Sequence, residues 1–186
     1  MGPLLARTGR GEEAAEAYRA LLPRTTALPS AERASAEIEA GLVAMDRGPG
    51  RLDEAAAALR EAIREAQNEA HAVAVLALAL ALDRRGNGGE GRALLEERAH
   101  GDPREALSSA RAKELLAVAP GEAPALEAIG LEAAGSAVAR DAWPLVVDAG
   151  PSGPWAAHAR AHLAGPPGVR RGASTAPARG REQEPR

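Results

Sequence analysis

Between His71 and Asp83 the chain runs through eleven consecutive apolar residues, "AVAVLALALAL". A segment with no polar side has to be surrounded in the folded protein, and two arrangements provide that. Leu78, Leu80 and Leu82 alternate with alanine as in a buried strand, and Gly86, Gly88, Gly89 and Gly91 follow as G-x-G-x-x-G. That combination suggests a strand, a phosphate-cradling turn and a helix. The alternative is a helix that is apolar all round, central in a helical stack, and ended by a loose glycine turn. A dinucleotide turn needs its first glycine directly after the strand, yet Asp83, Arg84 and Arg85 intervene, and Asp83 would set negative charge beside phosphate. Nothing elsewhere alternates strand with helix to supply a parallel sheet. An isolated strand would also leave both edges unpaired. The helical hairpin is the expected reading; a nucleotide-binding protein or enzyme using the 86–91 glycines is its rival.

Composition points the same way. Apolar residues make up 45% of the 186 residues but aromatics only 2%, with no Phe, so alanine and leucine must do most of the packing. Small side chains favour closely spaced helices over a sheet of β-branched and aromatic residues. Lys113 is the only lysine, and abundant Ala, Gly, Pro and Arg suggest a GC-rich bacterial genome, which makes arginine a weak functional marker. The net charge is -3, and the stretch from Gly165 carries five arginines against two glutamates, so the body is near -6. An acidic body argues against nucleic acid as the main ligand. The absence of Cys excludes disulfides and thiolate metal sites. No run reaches the roughly twenty apolar residues of a membrane span, and "MGPLLARTGRGEE" is too short in its apolar part for a signal peptide. A cytoplasmic protein without membrane insertion is the default expectation.

"RLDEAAAALREAIREAQNEA" carries Leu52, Ala55, Ala56, Leu59, Ala62, Ile63 and Ala66 at helical spacing, with Asp53 and Glu54 in its first turn. "GEEAAEAYRALL" repeats the pattern, and "SAERASAEIEAGLVAMDRG" reads as a helix with Ser30 as N-cap. "PREALSSARAKELLAVA", "APALEAIGLEAAG", "AWPLVVDAG" and "PWAAHARAHLAG" read as further helices, with Pro103, Pro120, Pro144 and Pro154 as punctuation between them or at their starts. Residues 1–164 are expected to form one helical domain, and 165–186 a disordered Pro/Gly/Arg-rich tail.

"GRGEEAAEAYRALL", "GRLDEAAAALREAI" and "GNGGEGRALLEERA" each combine a turn glycine (Gly9, Gly50, Gly86) with a larger apolar residue nine positions on (Tyr18, Leu59, Leu95). The glycines recur 41 and 36 residues apart. With Gly41, Ala44 and Gly48 in one first helix, Ala79, Leu82 and Gly86 in the next, and Pro103 closing the unit, the chain resembles the tetratricopeptide repeat family, whose helix-turn-helix unit spans roughly 34 residues. Departures are that Glu37 or Val75 stands at the family's tryptophan and that Gly91 replaces its usual alanine. The resemblance covers residues 2 to 136, and its first unit is cut, as in a fragment of a longer repeat array. It implies an all-α fold of antiparallel helix hairpins stacked as an α-α superhelix, acting as a non-enzymatic scaffold for another protein. By position, it implies a concave face made of Ser35, Ile38, Leu42, Met45, Asp46, Val73, Leu76, Leu80, Asp83 and Arg84. Those positions are mostly apolar and lack a carboxylate clamp, so an apolar or helical partner segment is expected there, unless neighbouring helices bury them.

The remaining candidates have plainer readings. His158 and His162, in "HARAH", share a helix face as two zinc ligands can. The glutamate of H-E-x-x-H is absent and the neighbouring sequence offers no third ligand, so a solvated or partner-facing surface is expected and no metal or cofactor is assigned. His71 and His100 have no recognisable partner. Trp143, expected to be pushed out of helical geometry by Pro144, and Trp155 read as covers for the apolar end of the stack rather than as partner hot spots. Adjacent acids such as Glu12 and Glu13 diverge on a helix, and no catalytic constellation is expected.

Overall fold

A computed structural model describes residues 2–8, 10–99, 101–150 and 153–164, so Gly9, His100 and the proposed tail of 165–186 lie outside the described residues. Among the described residues the protein is all-α, with no strand. Its helices are α1 (Gly2–Arg7), α2 (Gly11–Leu21), α3 (Ser30–Asp46), α4 (Leu52–Glu65), α5 (Asn68–Arg84) and α6 (Gly88–Arg98). They are followed by α7 (Pro103–Ser108), α8 (Ala110–Leu116), α9 (Ala123–Ala133), α10 (Ala139–Ala149) and α11 (Ala156–Ala164). Successive helices pack on one another from α1 to α6 and again from α9 to α11. None of the described helices is long and apolar enough to cross a membrane.

The eleven-residue apolar run is helix α5, and every residue from Val73 to Leu82 is buried. It achieves this by touching α3, α4, α6, α7, α8 and α9, while its first turn, with Asn68 and Glu69, stays exposed. Its C-terminal turn closes through Gly86, at φ +87°. The Gly86 amide donates to Asp83 O and the Asn87 amide to Leu82 O, the paired bonds of a left-handed glycine cap. Beside it, α4 buries Leu52, Ala55, Ala56, Leu59, Ala62 and Ile63 while Arg60, Glu61 and Arg64 face outward. Gly41 lets α3 approach α4: a Cβ there would lie 2.5 Å from Leu59 Cγ.

Several local expectations need correction. The helix beginning at Leu52 does not run through "QNEA"; Ala66 is extended, and Asn68, at φ +52°, starts α5. Ser30 is the first residue of α3, and Pro29 precedes it as N-cap without a side-chain bond. The segment after Pro103 divides at Ser109, which leaves α7 extended and turns its Oγ to accept from the Ala112 amide, capping α8. Pro144 lies inside α10, not at a boundary, and Trp143 is helical.

Candidate functional site

The ten proposed groove residues occupy three kinds of environment. Ile38, Leu42, Met45, Val73, Leu76 and Leu80 are core residues, as buried as any in the protein. The helices laid across α3 and α5 cover them, so as a set they do not line an open face. Ser35 meets Arg111 of α8, and Asp46 is paired with Arg47. Arg84 is buried against Glu122, 2.6 Å away, with both side chains only 2% exposed. Burial pushes each of these two toward its neutral form, and the charge of the other opposes this. The Trp155 ring covers the Arg84 guanidinium at 4.1 Å, and its indole N–H donates to Met45 O.

The tenth residue, Asp83, leads to a compact cluster of ionisable groups. It ends the buried stretch of α5 and receives two imidazoles from α11. His158 Nε2 donates to Asp83 Oδ2 at 2.7 Å, and His162 Nε2 donates to the same oxygen at 2.8 Å. Four residues apart on one helix, the two rings stand one turn above the other, with centroids 4.9 Å apart. The other ring nitrogen of His162 donates to Glu132 Oε2 of α9 at 2.9 Å. That carboxylate oxygen also accepts from Trp143 Nε1 of α10 at 2.9 Å, and Trp143 stacks on the His162 ring at 4.1 Å. The expectation of a solvated or partner-facing "HARAH" face is thus corrected: both histidines point inward, their side chains 22% and 16% exposed. Trp143 is buried, and Trp155, partly buried, packs against the core.

Charge follows from this geometry. Burial alone would lower the His162 value, but donation to Asp83 and Glu132 outweighs it and raises His162 to about 9, the ring carrying both protons. Burial would raise the Asp83 carboxyl, but the two imidazole bonds hold it well below the usual carboxylate range. Glu132 is lowered chiefly by the His162 bond, against burial and with help from Trp143. One nitrogen from each histidine and one Asp83 oxygen lie within 4.8 Å of one another, and these are the groups of the cluster able to ligate a cation. The cluster borders a cavity of about 300 Å³ lined also by Gly88, Gly91, Leu95 and Glu132. Sequence spacing singled out the two histidines, but not Asp83 or Glu132 as their partners.

A second, larger cleft of about 570 Å³ lies between α5, α6, α7 and α9. Leu76, Leu95, Pro103, Ala106, Gly130 and Ala133 give it apolar walls, and Gln67, His71 and Arg98 add polar groups. Gly130 holds the α9 wall close, since a Cβ there would meet Leu76 and Pro103 at 2.8 Å. Comparison with protein families, curated proteins and solved structures finds no match to this chain.

Proposed function

We propose that this chain is a non-enzymatic helical-repeat scaffold, similar to tetratricopeptide repeats in its first hairpins, that holds an apolar segment of another protein. The observation that carries the reading is the cleft of about 570 Å³ between α5, α6, α7 and α9. Its volume falls within the roughly 300–1,000 Å³ of ligand-binding clefts, and its apolar walls with few polar groups suit a helix or loop presenting apolar side chains. The successive packing of α1 to α6, with left-handed glycines Gly48 and Gly86 between hairpin helices, supports the repeat reading. The cleft replaces the concave face suggested by resemblance, and Leu76 belongs to both. Ala106→Arg places a long charged side chain in the cleft from a partly exposed position. A photo-crosslinker at Ala133 should capture a discrete partner in cells of the source organism, and Ala106→Arg should abolish that capture with helical circular dichroism unchanged. Undiminished capture by the folded variant rules out the cleft, and no captured partner in either chain rules out the scaffold.

A further inference from the structure

We propose that Asp83, His158 and His162 form a binding site for one zinc-class divalent ion. The site is independent of the scaffold reading. Three features carry it. First, His158 Nε2 and His162 Nε2 converge on the single oxygen Asp83 Oδ2, at 2.7 and 2.8 Å. Ligand atoms of a tetrahedral ion with bonds of about 2.0–2.1 Å stand about 3.3 Å apart, so the two nitrogen–oxygen spacings need to open by about half an ångström, and all three ligand atoms already lie within 4.8 Å of one another. Second, His162 has the outer partner that metal-bound histidines use: Glu132 Oε2 accepts from its Nδ1 at 2.9 Å. Glu132 is itself held by the Trp143 indole, and Trp143 stacks on the ring. Such second partners fix the tautomer and aim Nε2 at the ion. Third, once the ion has taken the place of the extra His162 proton, the two carboxylates Asp83 and Glu132 balance its two positive charges. Arg84, the next residue along, is already paired with Glu122.

Two imidazole nitrogens and one carboxylate oxygen select a borderline ion of the zinc type over magnesium or calcium, which take oxygen donors in larger number. Three protein ligands leave a coordination position for water, and the adjoining cavity of about 300 Å³ has room for it. On binding, the ion displaces the His162 Nε2 proton to solvent and leaves that ring neutral with its Nδ1–H on Glu132, while His158 offers Nε2 as the tautomer that carries its proton on Nδ1. The ion then clasps α11 to the end of α5, across a sequence separation of 75 to 79 residues.

The test uses the full chain without a histidine tag, stripped with a chelator and titrated with Co²⁺ followed by Zn²⁺ displacement. The expected result is one Co²⁺ per chain with the visible absorption of a four-coordinate site, displaced by Zn²⁺ and not by millimolar Mg²⁺. His158→Ala and Asp83→Asn should each weaken binding by at least about 100-fold, while His71→Ala leaves it unchanged. Glu132→Gln, which touches no ion, should weaken it about 10–100-fold with circular dichroism unaltered. Absence of stoichiometric binding by the folded wild-type chain overturns the proposal, whatever the variants do. So does equal binding by folded His158→Ala, or displacement by Mg²⁺.

Discussion

The glycines of the G-x-G-x-x-G run differ sharply from one another in what their missing side chains permit. A Cβ on Gly91 would lie 2.7 Å from the Ala79 carbonyl oxygen, and one on Gly88 2.6 Å from Asp83 Oδ1, so these two let α6 lie against α5. Gly86 is needed for its left-handed φ, whereas a Cβ on Gly89 would meet nothing within 4 Å. Gly91→Ala is therefore expected to destabilise the fold by about 1–3 kcal/mol, because the obstacle is backbone. Gly89→Ala, in the first turn of α6, should stabilise by up to about 1 kcal/mol. Urea denaturation of both variants checks the pair, and equal effects would contradict this packing. Glu37 provides the pH prediction. Its Oε2 is buried without a hydrogen-bond partner. Burial, then the charges of Glu65 and Glu61, push its carboxyl up to about 7 against the pull of Arg33 and Arg64. The folded chain thus holds this proton more tightly than the unfolded chain, whose value is 4.5. The stability involved is complete below about 4.5 and is lost as pH rises through about 7. Glu37→Gln should remove that decline between about pH 4.5 and about pH 7, a difference on the order of 1 kcal/mol after allowance for solvent screening.

At the scale of elements, Arg84 and Glu122 join the end of α5 to the turn that precedes α9, beneath Trp155. Glu122→Ala should cost about 3–5 kcal/mol, because it strands the Arg84 charge in the interior. The joint replacement Arg84→Met with Glu122→Leu should be much milder, and a calorimetric comparison of the two separates a stranded charge from lost packing. Helices α4 and α5 were legible in the sequence because their apolar residues leave little choice: one stripe in α4, every side in α5. Boundaries were less legible. Asn68 starts a helix at positive φ, Ser109 splits a continuous helical pattern, and Pro144 is accommodated within α10. In each case tertiary packing or a local side-chain bond overrides the periodic signal.

For the whole molecule, α5 is the element on which the rest assembles. Leu80 is fully buried at its middle. Leu80→Ala should lower global stability by about 2–5 kcal/mol, visible as an earlier thermal midpoint. The same burial explains why the apolar positions read as a groove became core: periodicity reveals that a residue is covered, not whether a neighbouring helix or a partner covers it. The histidine cluster was illegible for a different reason. His158 and Asp83 are 75 residues apart, and only the return of α11 to the end of α5 brings them together. That return has an optical consequence. The protein's two indoles, Trp143 and Trp155, belong to the C-terminal segment, and both are seated against earlier helices. Intrinsic tryptophan fluorescence is therefore a selective gauge of how firmly α10 and α11 are seated. With excitation that spares Tyr18 of α2, gentle denaturation should shift emission to the red before far-ultraviolet ellipticity falls.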